Sequence, residues 1–279
     1  MIAPFDNMPL QIVTFFFHWH RSSPQYIIME HFNTARLSLP PPAPPRILSC
    51  GDQALTVEFA NVIDRAINAR VHALDRVLGE APPPGVIETM PSYGSLLVFY
   101  DPMLTCFATL ASEIRTVCET LVPKPATGTT WRIPVVYGGD YGFDLLAVAD
   151  MVRLDATEVV ARHVATLFDI FMIGFLPGFT YLGGLDPAIA VPRRPVPRQQ
   201  VPAGSIVIGG IQAAIGSIEG PSGWHVIGRT PVRAFMPRRK PVVFMKPGDR
   251  IVFESWPPAS FRTLDEAAAS GELVAEPDA

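Results

Sequence analysis

Residues 171–231 read FMIGFLPGFTYLGGLDPAIAVPRRPVPRQQVPAGSIVIGGIQAAIGSIEGPSGWHVIGRTP, and this stretch decides the fold. Glycine permits positive φ and close backbone approach, whereas proline fixes φ and removes a donor, so this density of both specifies turns and short strands. Flexible linkers are polar, but here turn residues alternate with Phe, Ile, Val, Leu and Trp, which need burial. Strands are expected over Ile170 to Phe175, Gly204 to Gly209 and Trp224 to Gly228, each apolar and bounded by Gly or Pro. The simpler reading is a β-barrel core. The sharper one is that loops between these strands bring Arg193, Arg194, Arg198, Gln212, His225 and Arg229 to one mouth.

Upstream, Gln53 to Phe59 alternates like a half-buried strand, and Asn61 can cap a helix with Asp64 in its first turn. Ile63, Ile67, Val71, Leu74 and Leu78 make one apolar stripe, which Gly79 terminates. Val86 to Thr89 and Ser95 to Tyr100 read as a hairpin. A second helix carries Phe107, Leu110, Ile114, Val117 and Leu121 on one face and stops before Pro123. Strand, helix, two strands and helix make an α+β sandwich of ferredoxin-like type. Glu58, Glu88 and Tyr93 show no catalytic spacing, so each reads as a surface or turn residue.

After a linker over 124–130, Trp131 to Tyr137 is expected as a strand, with Pro134 favouring a sheet edge. Tyr141 to Val152 and Thr157 to Thr166 read as helices, the second opened by Asp155 and Glu158 at capping-box spacing. The domains expected are an extension over 1–45, a small α+β domain over 46–124, a β-barrel over 125–260 and a tail over 261–279.

With 48% hydrophobic and 17% charged residues in 279, the chain is globular. A net charge of −4 gives no bulk attraction to nucleic acid. Cys50, Cys106 and Cys118 form no metal-ligand spacing and, being odd in number, no full disulfide framework, which points to a reducing, cytoplasmic setting. Cys106 and Cys118 fall in a helical pattern and read as buried thiols. The longest early apolar run, Ile12 to Phe17, is too short to span a bilayer. Residues 1–45 lack the pattern of a secretory signal and read as a poorly ordered extension or a start-site artefact, and His18 and His20 lack further ligands for a metal.

The blocks GFLPGFTYLGGLD, PRRPVPR, VPAGS and GW..IGRTP, in this order and spacing, resemble the family of B-type 5-oxoprolinase subunits, also called KipI-like, allophanate hydrolase subunit 1 or carboxyltransferase subdomain C/D. GDQALTVEF, GVIETMPSYGSLLVFYDP and PVVYGGDYGFDL extend the resemblance over 46–256. It implies a cyclophilin-like barrel and a B-type subunit of an enzyme that opens the lactam of 5-oxoproline. It implies ATP with Mg, a homologous C-type partner and an A-type lactam hydrolase partner, with 5-oxoproline, allophanate or another small amide as substrate. The family also includes an inhibitor of a sporulation histidine kinase, so a regulatory binding protein is the alternative. Fold analogy alone raises a third reading, a peptidyl-prolyl isomerase, but no cyclophilin-type motif aligns.

Arg193, Arg194 and Arg198 lie in a Pro-punctuated loop that limits the entropy lost in positioning a guanidinium, so they read either as an anion site or as a solvated basic loop that pairs with Asp or Glu. Gln212 matches the family's glutamine, whose amide suits recognition of a lactam. His163 matches a family histidine and would move or orient a proton, although a helix C-terminal histidine is also a common core or dipole-compensating residue. Arg229 is either a pairing residue or part of the anion site, Trp224 reads as core and His225 as surface or packing. Asp140, Asp144 and Asp186 are magnesium candidates that also fit as turn or cap residues. The sequence departs from the family at Gly216 and Ser217, where a Tyr-Pro pair is usual, which implies a wider or wetter pocket. No Walker, kinase, dinucleotide or G-x-S-x-G motif is present.

Overall fold

The computed structural model describes residues 44–123 and 128–278, so the expectations for the extension up to residue 43, and for linker residues 124–127, lie outside the described residues. The N-terminal unit comprises β1 (Arg46–Ser49), β2 (Ala54–Glu58), α1 (Arg65–Glu80), β3 (Val86–Pro91), β4 (Ser95–Tyr100) and α2 (Phe107–Glu119). The strands lie in the order β1-β2-β4-β3, every pair antiparallel. This is the ferredoxin-like arrangement, with β1 as an added outer strand. Leu55, Val57, Leu96 and Val98 on one sheet face meet Val71, Leu74 and Leu78 of α1 and Leu110 and Ile114 of α2 in one core.

α1 starts later than the Asn61 cap would give. Asp64 is the N-cap, its Oδ1 accepting from Ala66 N and Ile67 N at 2.8 and 2.9 Å, and the helix passes Gly79 to end at Glu80. A side-chain acceptor poised on the first free N–H groups fixes a helix start more firmly than periodicity does. Cys106, read as buried, is instead the exposed N-cap of α2.

The second unit is a closed barrel. β12 (His225–Arg229), β9 (Ser205–Gly209), β10 (Gln212–Ile215), β7 (Thr180–Gly183), β6 (Phe168–Ile173), β13 (Arg250–Ser255) and β5 (Thr130–Tyr137) pair in that order, and β12 pairs back onto β5. Seven strands close with no free edge between them. Pro134 does not lie on an outer edge. On that side β5 is paired at Trp131 and Arg132 by β14 (Glu276–Pro277) and at Val136 and Tyr137 by β12, so Pro134 falls in the break, where a missing N–H costs no ladder bond.

The helices α3 (Leu145–Val152) and α4 (Ala156–Ala165) precede β6, and β8 (Arg198–Val201) with β11 (Gly220–Ser222) form a separate two-stranded ribbon. Residues 261–279, expected as a tail, contain most of α5 (Pro258–Ser270) and β14, which are built into the barrel: Phe261 and Ala268 of α5 are buried and β14 extends the sheet. Asp155 stands in N-cap geometry but makes no side-chain cap bond. None of the helices among the described residues is long and apolar enough to cross a membrane.

The barrel strands bury both faces. Ile206 and Ile208, Ala213 and Ile215, Leu182 and Ile227 fill the interior, while their alternate neighbours Val207, Ala214, Tyr181 and Val226 belong to a second cluster on the outer wall. That outer cluster also takes Phe179, Val201 and Trp224, with Tyr93 of the N-terminal unit packed against it.

One stripe of α1 joins the two units. Asn68 Nδ2 and His72 Nε2 both donate to the Phe171 carbonyl, at 3.3 and 2.8 Å, and Arg65 pairs with Asp169 and donates to the Leu167 carbonyl. Positions 65, 68 and 72 share a helix face, so α1 lies along β6. The bonds meet β6 where its register with β7 shifts, between Ile170 and Met172.

Candidate functional site

The outer wall carries a run of aromatic rings seated on glycines. A Cβ at Gly183 would come within 2.5 Å of Phe171 Cζ, and one at Gly209 within 2.9 Å of Trp224 Cγ, so each ring lies flat on the strand because the residue beneath has no side chain. Tyr181 stands between them, 6.0 Å from Trp224 centroid to centroid. Tyr93, in the turn between β3 and β4, meets Phe171 at 5.6 Å and Tyr181 at 5.9 Å, both edge-on. Asn68 Nδ2 holds that turn through the carbonyls of Ser92 and Tyr93.

Arg193 and Gln212 close one end of this wall. Arg193 Nη2 donates to Gln212 Oε1 at 3.1 Å, and the guanidinium lies over the Trp224 ring at 5.1 Å. Gln212 is buried, and Arg193 reaches it from the exposed rim. Burial lowers the Arg193 pKa from its ordinary value and pushes the Tyr181 phenol up to about 12, with the Arg193 charge partly opposing the latter. Burial also raises the Tyr93 phenol, and the Gln212 side chain and the Arg193 charge partly oppose that rise.

The loop bearing Arg193 is pinned along its length. Gly210 N donates to the Val191 carbonyl at 2.6 Å, Arg194 N to Gly223 O at 2.7 Å, and His225 Nε2 to Pro192 O at 3.0 Å. His225 is buried beneath the loop, in keeping with a packing residue, and Trp224 is buried as expected.

The other two arginines of the loop turn away from Gln212. Arg198 binds Asp144 through Nη1 and Nη2 at 2.6 and 2.7 Å and stacks on Phe143, while Arg194 Nη1 approaches Asp144 Oδ1 at 3.4 Å. Asp144 Oδ2 also accepts from Val226 N at 2.8 Å. Burial raises the Asp144 pKa, but the Arg198 hydrogen bonds, the Val226 N–H and the two guanidinium charges outweigh it, and the carboxyl lies below its ordinary value. This pair anchors the loop to the start of α3. Arg194 and Arg198 therefore spend their charge on an internal carboxylate, which is the pairing alternative to a ligand-anion site.

His163 and Arg229 are not brought to Gln212 either. His163 is fully buried inside the barrel, stacked on Phe253 with centroids 4.7 Å apart, its Nδ1 2.8 Å from the Tyr137 hydroxyl and its Nε2 unpartnered. Burial lowers its pKa to about 3. A neutral ring in the core has no path to exchange a proton with a surface ligand, so the expected proton role does not fit this position. Arg229 donates from Nε to the Ala203 carbonyl at 2.8 Å and lies over Phe261, which makes it a pairing residue between β12 and α5.

Of the acidic candidates, Asp186 caps a short 3₁₀ helix (Pro187–Ile189) and pairs with Arg162, Asp144 is held by arginines, and Asp140 is exposed. Among the described residues no group of three or more His, Cys, Asp or Glu could hold a metal ion. The crevice beside Gly216 is lined mainly by apolar side chains, Leu176, Phe179, Val201, Val207 and Pro221, with Ser205 and Ser222 among them, and Ser217 Oγ is tied to the Pro177 carbonyl.

Sequence reasoning missed Tyr93, Phe171 and Tyr181. A large aromatic between Ser92 and Gly94 in a hairpin turn was the available signal, since such a ring finds little to cover it within its own hairpin.

The sequence pattern of the family described as "Carboxyltransferase domain, subdomain C and D" matches residues 45–245. The B-type subunit of 5-oxoprolinase from Bacillus subtilis (strain 168) is 37% identical over 220 residues, 75% of this chain and 91% of that protein. Among solved structures, TTHA0988 is similar with a TM-score of 0.65 at 32% identity, over 74% of this chain and 40% of that longer chain. The K. lactis urea amidolyase gives a TM-score of 0.73 over 84% of this chain and 16% of its own, at 17% identity, a likeness of fold alone.

Proposed function

The chain belongs to the carboxyltransferase domain, subdomain C and D family, and from that membership we propose that it acts as the B-type subunit of a 5-oxoprolinase, a hydrolase that opens the lactam of 5-oxoproline to glutamate. The observation that carries the reading is the likeness to the Bacillus 5-oxoprolinase chain, which extends over nearly all of that relative. None of the relatives described above favours the kinase-inhibitor alternative.

The outer wall is compatible with this substrate. Arg193 offers a guanidinium for a carboxylate, Gln212 offers an amide for a ring amide, and the rings of Tyr181 and Trp224 give an apolar floor for the carbons between them. A lactam resists water because its nitrogen donates into the carbonyl; activation of the oxygen, which ATP with magnesium would supply, removes that resistance. The described residues do not fit a self-contained magnesium centre, since Asp144 and Asp186 are already engaged and no ligand cluster is present. In this proposal the nucleotide belongs to surfaces completed by a homologous C-type partner, with an A-type lactam hydrolase partner finishing the reaction, and the isolated chain is inactive.

Reconstitution tests the proposal. The chain, mixed with its C-type and A-type partners, should form glutamate from 5-oxoproline with consumption of ATP, and each component alone should not. A complex that assembles but leaves 5-oxoproline untouched would refute it.

A further inference from the structure

We propose that β1 is a self-association edge: two copies of this chain join antiparallel through Arg46–Ser49, about a two-fold axis at Leu48, and so fuse their N-terminal sheets into one. Nothing in this depends on the 5-oxoprolinase reading. Among the described residues β1 ends its sheet, with β2 on one side and no strand on the other. Cys50 N donates to the Ala54 carbonyl at 2.9 Å, and hydrogen-bonded pairs alternate along an antiparallel ladder, so Arg46 and Leu48 turn their backbone groups to β2. The next ladder agrees: Tyr100 N donates to the Gln53 carbonyl at 2.9 Å, which turns Leu55 and Val57 to β4 and leaves Thr56 and Glu58 for β1. Ile47 and Ser49 therefore aim their N–H and C=O groups off the edge.

Other edges are closed to such pairing. β3, at the far side of the same sheet, has a register shift between Val86 and Glu88 and ends in Pro91, and the barrel strands pair in a ring. Bulges and prolines keep an edge from growing, but β1 reads RILS in unbroken register and has neither. Pro45 stands just before it and removes the next outward N–H, which confines the open ladder to Ile47 and Ser49.

The pattern is complementary to itself. Opposed residues of an antiparallel pair share a face, so a two-fold axis falls at Ile47 or at Leu48. With Ile47 on the axis, Ser49 would meet Pro45 of the second copy, which has no N–H to give. With Leu48 on the axis, Ile47 exchanges both bonds with the second copy's Ser49, and Ser49 with its Ile47, so every outward group is satisfied. Leu48 then meets its own copy at a non-hydrogen-bonded position, where side chains come closest. Leu48, Thr56, Leu97 and Met90 already form one row on the sheet face away from the helices, with Leu48 39% and Met90 49% exposed. The dimer joins two such rows end to end. Arg46 is paired with Glu58 at 2.9 Å and stands roughly 13 Å along the strand from its copy, so no like charges meet at the axis. A ladder this short is a small interface, and the dimer should form in proportion to concentration.

Sedimentation velocity of the full chain over a rising concentration series is the test, with hydrogen exchange of the β1 amides followed on the same samples. The wild type should pass from monomer to dimer, and the Ile47 and Ser49 amides should gain protection in step. Ser49→Pro removes only an outward N–H, and by symmetry two ladder bonds, so dimerisation should weaken roughly tenfold or more while the melting temperature stays near wild type. Leu48→Glu, which sets two carboxylates against each other at the axis, should weaken it similarly. A chain that stays monomeric throughout overturns the proposal, as does a dimer that both variants leave intact. Protection of the β1 amides at every concentration in a monomeric chain overturns it too, by showing that another segment of the same chain occupies the edge.

Discussion

Arg198 holds Asp144 with both terminal nitrogens, at 2.6 and 2.7 Å, while Val226 N donates to the same carboxylate at 2.8 Å. Three separate pieces of chain, the start of β8, the start of α3 and β12, thus meet at one buried carboxylate. Removing one partner of a buried pair strands the other's charge, at a cost of about 3–5 kcal/mol. Arg194 remains near Asp144, so Arg198→Ala should fall at the lower end, about 3 kcal/mol, and Asp144→Ala higher. Urea melts of both variants check this. A melting point equal to wild type in Arg198→Ala would show that the pair is not what anchors the loop.

Acid should destabilise the barrel earlier than its carboxylates alone would allow. His163 has its pKa lowered to about 3, so the folded state refuses a proton that the unfolded chain accepts near the ordinary value of 6.5. Its contribution is intact above pH 6.5 and is lost as pH falls towards 3, by roughly 4–5 kcal/mol in total. His72, also lowered by burial, adds a loss of the same sign. Stability measured between pH 7 and 4 should therefore slope downwards, and His163→Phe should flatten that slope. An identical slope in the variant would mean that His163 takes up its proton without leaving the core.

The glycine seats predict a site defect without a change in any polar residue. In Gly209→Ala the new methyl group would meet Trp224 at ring-contact distances of 2.9–3.2 Å, so the indole must move. Overpacking of this kind costs about 1–3 kcal/mol. Near-ultraviolet circular dichroism should change, and complex turnover should fall because Arg193 rests on that ring. Unaltered spectra and turnover would show that Trp224 has slack.

The joint between the units is testable by itself. His72→Ala removes the shorter of the two bonds to the Phe171 carbonyl and should cost about 1–2 kcal/mol, with faster amide exchange in β6 and in the turn at Tyr93. Exchange that rises in α1 alone would indicate that the helix, not the joint, had loosened.

The barrel strands were legible because each is a short apolar run closed off by Gly or Pro, a pattern set by local backbone chemistry. The errors fall where side chains choose partners far along the chain. Nothing near Arg198 announces Asp144, 54 residues away, so the arginine-rich loop read either as an anion site or as a basic loop pairing with Asp or Glu, and the sequence did not single out the carboxylate that takes two of its three arginines. His163 was readable in hindsight: it lies four residues after Val159 on the buried face of α4, a helical stripe that points into the core. Tyr93 was passed over because its partners, Phe171 and Tyr181, lie in the other unit, and no spacing rule reaches across that distance.

The central claim is that Arg193 and Gln212, on the outer wall of the barrel, handle the substrate of a multi-component 5-oxoprolinase. The most direct measurement is 5-oxoproline-dependent glutamate formation by the reconstituted complex, with Gln212→Ala and Arg193→Ala assayed beside the wild type and each melted on the same preparation. Loss of one contact made in the transition state costs about 2–4 kcal/mol, so each variant should lose two to three decades of rate. Each should do so with a melting temperature close to wild type, because Gln212 and Arg193 lean on each other and on Trp224 in place of the barrel interior. Wild-type turnover in both variants, or full turnover by this chain without its partners, would contradict the claim.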